Sequence, residues 1–179
     1  GKLQEAEIST RKAIELKPDF AEAHLNLGNI LKDSGNLKEA EFFTRKTIEL
    51  NPNFAAAYSN LGIILKDLGK LKEAEISTRK AIYLKPDFAN AQANLGNILK
   101  ELGKLDDAEL SIRKAIELNP DSPDLHMNLG AILKDLNKLE QAEKFTRKAI
   151  QLKSDFVFAY YNLGNILKRL GKLQEAKQS

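Results

Sequence analysis

The chain has 179 residues, 42% hydrophobic and 30% charged, a balance that supports a folded core and excludes a low-complexity, disordered polypeptide. Its 28 basic and 25 acidic side chains leave a net charge of +3, too near balance to point to nucleic acid or an anionic membrane as partner. The absence of cysteine excludes disulfides, thiolate metal sites and a cysteine nucleophile, and no apolar run approaches the roughly 20 residues of a membrane span.

Residues 1–20 form the second half of a repeating unit that ends at Pro18-Asp19-Phe20. Four whole units follow, at 21–54, 55–88, 89–122 and 123–156, and residues 157–179 begin a last one. The ruler is proline: Pro18, Pro52, Pro86 and Pro120 stand 34 residues apart, and Ser154 takes the next place. Leu3, Leu37, Leu71, Leu105, Leu139 and Leu173 keep the same step, as do Ala6, Ala40, Ala74, Ala108, Ala142 and Ala176. The chain is therefore expected to be a single array over 1–179, copied from one unit.

With Ala21 as unit position 1, each unit carries two apolar stripes at spacings of three, four and seven, the signature of two helices. Leu27, Ile30 and Leu31 lie on the first stripe; Leu71, Ala74, Ala81 and Ile82 lie on the second. No stretch alternates with period two, so no strand is predicted. Position 15 is Gly1, Gly35, Gly69, Gly103, Asn137 and Gly171, which predicts a helix end in the left-handed region. Asp19, Asp87 and Asp155 are expected as N-caps, Asp19 with Glu22 at capping-box spacing, and Ser122-Pro123 as a cap followed by Pro at the first helical position. Gly28, Gly62, Gly96, Gly130 and Gly164 fall mid-helix, where Gly costs about 1 kcal/mol relative to Ala. Their recurrence predicts a close approach of two helices.

Leu at position 7, small residues at 8, 20 and 27 and Pro at 32 resemble the tetratricopeptide repeat (TPR) over the whole chain. Position 4, often aromatic in that family, is here His24, Tyr58, Gln92, His126 and Tyr160; position 24 is Thr10, Thr44, Thr78, Ile112 and Thr146. The resemblance implies an all-α solenoid of stacked antiparallel helix pairs in a right-handed superhelix, with first helices lining its concave face. The two histidines are expected to replace packing aromatics, because no metal constellation surrounds them.

The first helix's polar face holds positions 2, 5, 6, 9, 12 and 13. Position 6 is Asn26, Asn60, Asn94, Asn128 and Asn162, although Asn is a mediocre helix former. An amide both donates and accepts, so such a ladder, joined by Asn29, Asn97 and Asn165 at position 9, suits an extended peptide's backbone. The alternative is that these amides bond between repeats or are inherited from duplication. The units also resemble the TPR array of O-GlcNAc transferases, where an asparagine ladder holds substrate peptide; position 6 is the matching row. Positions 2 and 5 vary, and they are where side-chain selectivity is expected. Position 12 is Lys32, Lys66, Lys100, Lys134 and Lys168, a row that could attract acidic groups but that stands beside Asp33, Asp67, Glu101 and Asp135. Position 25 is Arg11, Arg45, Arg79, Arg113 and Arg147, each four residues after a Glu, which predicts surface ion pairs and no ligand. The Lys and Arg set with which chaperone-binding members hold a C-terminal carboxylate is not present.

Gly96 and Gly103-Lys104 are too far apart for a phosphate loop, and no nucleophile–base pair stands out. The expectation is a non-catalytic scaffold without cofactor, binding a protein or peptide and neither nucleic acid nor membrane. Two alternatives stand beside it: a substrate-recruiting array from a larger enzyme such as a glycosyltransferase, and an engineered or self-assembling array without ligand. With no signal-peptide hydrophobic region, the expected location is cytoplasmic. Leu3, Ile8 and Ile14 are expected to be partly bare at one end, and Leu163, Ile166, Leu170 and Leu173 at the other, favouring head-to-tail stacking.

Overall fold

A computed structural model of the chain describes residues 1–172; the repeat positions Leu173 and Ala176 lie outside them. The described residues form ten helices and no strand. Second helices are α1 (Lys2–Leu16), α3 (Leu37–Leu50), α5 (Leu71–Leu84), α7 (Leu105–Leu118) and α9 (Leu139–Leu152). First helices are α2 (Ala21–Asp33), α4 (Ala55–Asp67), α6 (Ala89–Glu101), α8 (Pro123–Asp135) and α10 (Val157–Arg169).

The turn inside each unit is a Schellman motif. Gly35 N–H donates to Lys32 O at 2.9 Å and Asn36 N–H to Leu31 O at 2.8 Å, which satisfies two carbonyls at the end of α2. Gly35 sits at φ 79°, and Asn137 holds the same place at φ 60°, as its substitution for Gly predicts.

The turn between units corrects the expected caps. Asp19 does not cap α2: the N-cap residue is Phe20, with no side-chain cap bond, and Phe54 and Phe156 stand in the same place before α4 and α10. The reason is that Asp19 is used inside a tight turn. Phe20 N–H donates back to Lys17 O at 3.1 Å, and Phe88 N–H to Lys85 O at 3.2 Å, so the helix starts one residue later. Lys17 and Lys85 close these turns by lying over the rings of Phe20 and Phe88, at 5.4 Å in each case. Ser122 is the N-cap residue of α8, with Pro123 opening the helix, but its hydroxyl makes no cap bond.

The described residues divide into two compact units, one ending at Asn94 and one starting at Leu95. In the first, Leu27, Leu31, Ala40 and Ile64 form a buried cluster, with Ile14, Phe43 and Leu68 packed against it. In the second, Ala149, Phe156 and Ala159 cluster with Met127 and Ile150. Burying a Leu, Ile or Phe side chain contributes about 1.5–3 kcal/mol, so these stripes dominate the stability of each unit.

Position 8 is where the paired helices meet. A Cβ added to Gly28 would lie 2.5 Å from Thr44 Oγ1 and 3.4 Å from Ala40 O. The space beside Gly62 is taken by Thr78, and beside Gly96 by Ile112.

Among the described residues, the expected partial exposure is found at the first end and not on the stripe of α10. Leu3 and Ile8 are exposed, but Ile14 is half-buried, Leu163 and Ile166 are buried, and Leu170 is half-buried. Leu163 and Ile166 lie on α10, which packs against α9 and α8 of the preceding unit.

Candidate functional site

The asparagine row divides in its surroundings. Within residues 1–94, Asn26 is exposed, Asn60 Nδ2 donates to Asn29 Oδ1 at 2.7 Å, and Asn94 Nδ2 donates to Ser59 Oγ at 3.2 Å. In the second unit Asn128 is half-buried, whereas Asn162 is buried. Asn162 accepts from Lys134 Nζ at 2.9 Å and donates to Thr146 Oγ1 at 3.3 Å. Three of the five amides thus link one repeat to the next. Asn26 and Asn128 make no side-chain hydrogen bond among the described residues. Asn97 and Asn165 are half-buried beside this row.

The lysine row is largely neutralised locally. Lys32 lies 3.1 Å from Asp33, Lys66 2.8 Å from Asp67 and Lys100 3.4 Å from Asp135, while Lys168 is exposed. Adjacent opposite charges in high dielectric leave little field to steer a ligand.

Position 5 is not the open selectivity site that its variability suggests. Leu25 and Ser59 are buried, and Ala93 and Met127 are half-buried. The next first helix covers the position, as the Asn94–Ser59 bond shows for α4. Only Tyr161, on α10, is exposed there, beside exposed Phe158 at position 2. Position 2 is open at Glu22, Asn90 and Asp124 as well.

The histidines pack. His24 Nε2 donates to Pro18 O at 2.8 Å and its ring stacks on Phe43 at 5.8 Å; His126 repeats this with Pro120 O at 2.8 Å and Phe145 at 6.0 Å. Among the described residues no group of three His, Cys, Asp or Glu could hold a metal ion. No helix among them is long and apolar enough to cross a membrane.

The arginine row forms the ion pairs its spacing predicts, and it also reaches further. Arg11 Nη2 lies 2.8 Å from Glu7 and 2.7 Å from Glu39 of the following repeat. Glu109 is a node of the same kind: Arg113 holds it at 2.8 Å from its own helix and Lys138 at 2.7 Å from the next unit. Burial pushes the Glu109 carboxyl up, but hydrogen bonds from Lys138 and Arg113 outweigh it and hold the group below the ordinary carboxylate value. A depressed folded value means that the contribution is complete above the unfolded value, about 4.3, and is lost as pH falls through the lower folded one. Glu109→Gln is expected to destabilise the protein by about 1 kcal/mol at neutral pH. The gap to wild type closes on acidification past both values. Urea titrations from neutral to strongly acid pH check this; a gap constant across the range contradicts it.

The chain matches models described as tetratricopeptide repeat at residues 21–54, 43–76, 123–156 and 145–178, and one described as TPR repeat at 96–137. No curated protein matches it in sequence. Among solved structures it is similar to YrrB, described as a TPR protein with an unusual peptide-binding site. Identity is 24% and the TM-score 0.75, over 93% of this chain and 86% of that one. PilF of Pseudomonas aeruginosa is 21% identical with a TM-score of 0.86, over 98% and 80%. MamA of Desulfovibrio magneticus RS-1 is 20% identical with a TM-score of 0.81, over 88% and 89%. At these identities the likeness is one of fold.

Proposed function

Because the chain belongs to the tetratricopeptide repeat family, an all-α solenoid fold, we propose that it is a non-catalytic interaction scaffold that holds an extended peptide on its first-helix face. This reading takes residues 1–179 as one repeat array and assigns the grip to the asparagine row, with the half-buried Asn29, Asn97 and Asn165 beside it.

The observation that carries it is unspent hydrogen-bonding capacity. An amide has two N–H donors and an oxygen that accepts twice. Asn26 spends none of this, and Asn60 and Asn94 each spend one donor. What remains is the donor-and-acceptor pattern that a peptide backbone offers in return, so the grip is largely blind to peptide sequence. Asn162 differs: it is buried and bonded on both sides, and its part is to position Lys134. The peptide-binding site of YrrB, which has the same fold, supports the reading.

Peptides selected from a random display library on the wild-type protein supply the probe. The triple substitution Asn26→Ala, Asn60→Ala and Asn94→Ala removes amide bonds worth about 1 kcal/mol each. It is expected to weaken binding by roughly 100-fold in fluorescence anisotropy. Unchanged affinity, or selection that yields no peptide, refutes the proposal.

A further inference from the structure

The second helices of residues 1–94 expose apolar side chains at one repeated place, unit position 22. Ile8 is 69% exposed, Phe42 62% and Ile76 69%. Single exposed apolar residues are ordinary on a protein surface; the same position filled by a bulky one in three successive repeats is not. The fold does not demand it, because Lys144 fills the same position in α9. Helix propensity does not favour it either, since Ile and Phe are poorer helix formers than Lys or Glu.

The row is also held ready. The Phe42 ring packs edge-on against Phe43 at 5.2 Å, and Phe43 rests on the Leu27–Leu31 cluster, so Phe42 has little freedom to lose on binding. On α5 the exposed ring of Tyr83, two turns further along, carries Lys80 at 4.9 Å and lengthens the apolar strip.

The borders of the row are basic. One helical turn before it stand Gln4, Lys38 and Lys72; one turn after it stand Lys12, Lys46 and Lys80. Lys12 and Lys46 pair with Glu15 and Glu49, but Lys38 and Lys72 are exposed and make no pairing among the described residues. The nearby carboxylates Glu7, Glu39, Glu41 and Glu73 are engaged by Arg11, Arg45 and Lys70. In the second unit the pattern is broken: Leu110 is exposed, but Asp106 stands one turn before it.

We propose that the outer face of α1, α3 and α5 docks an acidic amphipathic helix of a partner protein. Its apolar stripe would lie on Ile8, Phe42 and Ile76, and its flanking carboxylates would meet Lys38 and Lys72. Charge complementarity selects this occupant. This surface is separate from the first-helix face, so the two can be occupied together.

The probe is a synthetic alanine-based helix with a leucine stripe flanked by Glu on both sides; the control replaces every Glu by Lys. In fluorescence anisotropy the acidic helix is expected to bind and the basic one not. Phe42→Ser with Ile76→Ser, and separately Lys38→Glu with Lys72→Glu, should each weaken binding by at least roughly tenfold. All four positions are exposed, and circular dichroism establishes that the variants fold. The Asn26, Asn60 and Asn94 alanine variant should bind the helix unchanged, which separates failure here from failure of the peptide-binding reading. Four outcomes overturn the proposal: equal binding of the basic helix, affinity indifferent to both double variants, preferential partition onto phosphatidylserine vesicles, or self-association in sedimentation velocity that the Phe42–Ile76 variant abolishes.

Discussion

Gly62→Val is expected to cost about 2–3 kcal/mol of stability, read as a shift in the urea midpoint. A Cβ at residue 62 overlaps the Thr78 hydroxyl and comes within 3.4 Å of both Ala74 O and Thr78 Cβ. Thr78 has nowhere to swing. It is fully buried, and its hydroxyl donates to Ala74 O at 2.8 Å. The helices α4 and α5 must therefore separate, against the packing of every neighbouring stripe residue. The small gain from removing a helical Gly, a fraction of a kcal/mol, does not offset this. The mechanism is testable through its partner. Gly62→Ala should be rescued in part by Thr78→Ala, giving a coupling of about 1 kcal/mol in a double-mutant cycle; strict additivity would sink the explanation.

Leu133→Ala should lower stability by about 2–5 kcal/mol, the cost of lost transfer energy plus a cavity. Leu133 is 0% exposed on the inner stripe of α8, where Leu129 and Ile132 are equally buried, so a void there cannot readily fill. Leu110 is the internal control. It is a leucine in the same unit but 67% exposed, and Leu110→Ala should change stability by no more than about 0.5 kcal/mol. The loss from Leu133→Ala should appear first as faster amide exchange within residues 95–172, because repeat proteins open by neighbourhoods. Equal effects from the two leucines would contradict the assignment of the stripes.

The interactions that the sequence alone determined are those completed within about one turn of one helix. Helix starts and stops follow from the apolar spacing and from Gly35, Gly69, Gly103 and Asn137, because the left-handed turn is a local demand on the backbone. The five Glu–Arg pairs follow from a spacing of four. Even the close approach at position 8 was legible, since a recurrent mid-helix Gly has few other uses.

The turn at Pro18-Asp19-Phe20 was misjudged. Cap preference and turn preference both recruit Asp, and only the backbone decides between them. What tertiary structure alone decided lies about one repeat away in sequence. Arg11 reaches Glu39, Lys138 reaches Glu109, and Asn60 reaches Asn29, each at a separation of 28–31 residues. Such partners depend on how neighbouring repeats pack, which spacing within a helix does not encode. The same packing buries Leu25 and Ser59, which sequence variability marks as open. It leaves Phe42 and Ile76 bare, because α3 and α5 bury another face, through Ala40, Thr44, Ala74 and Thr78.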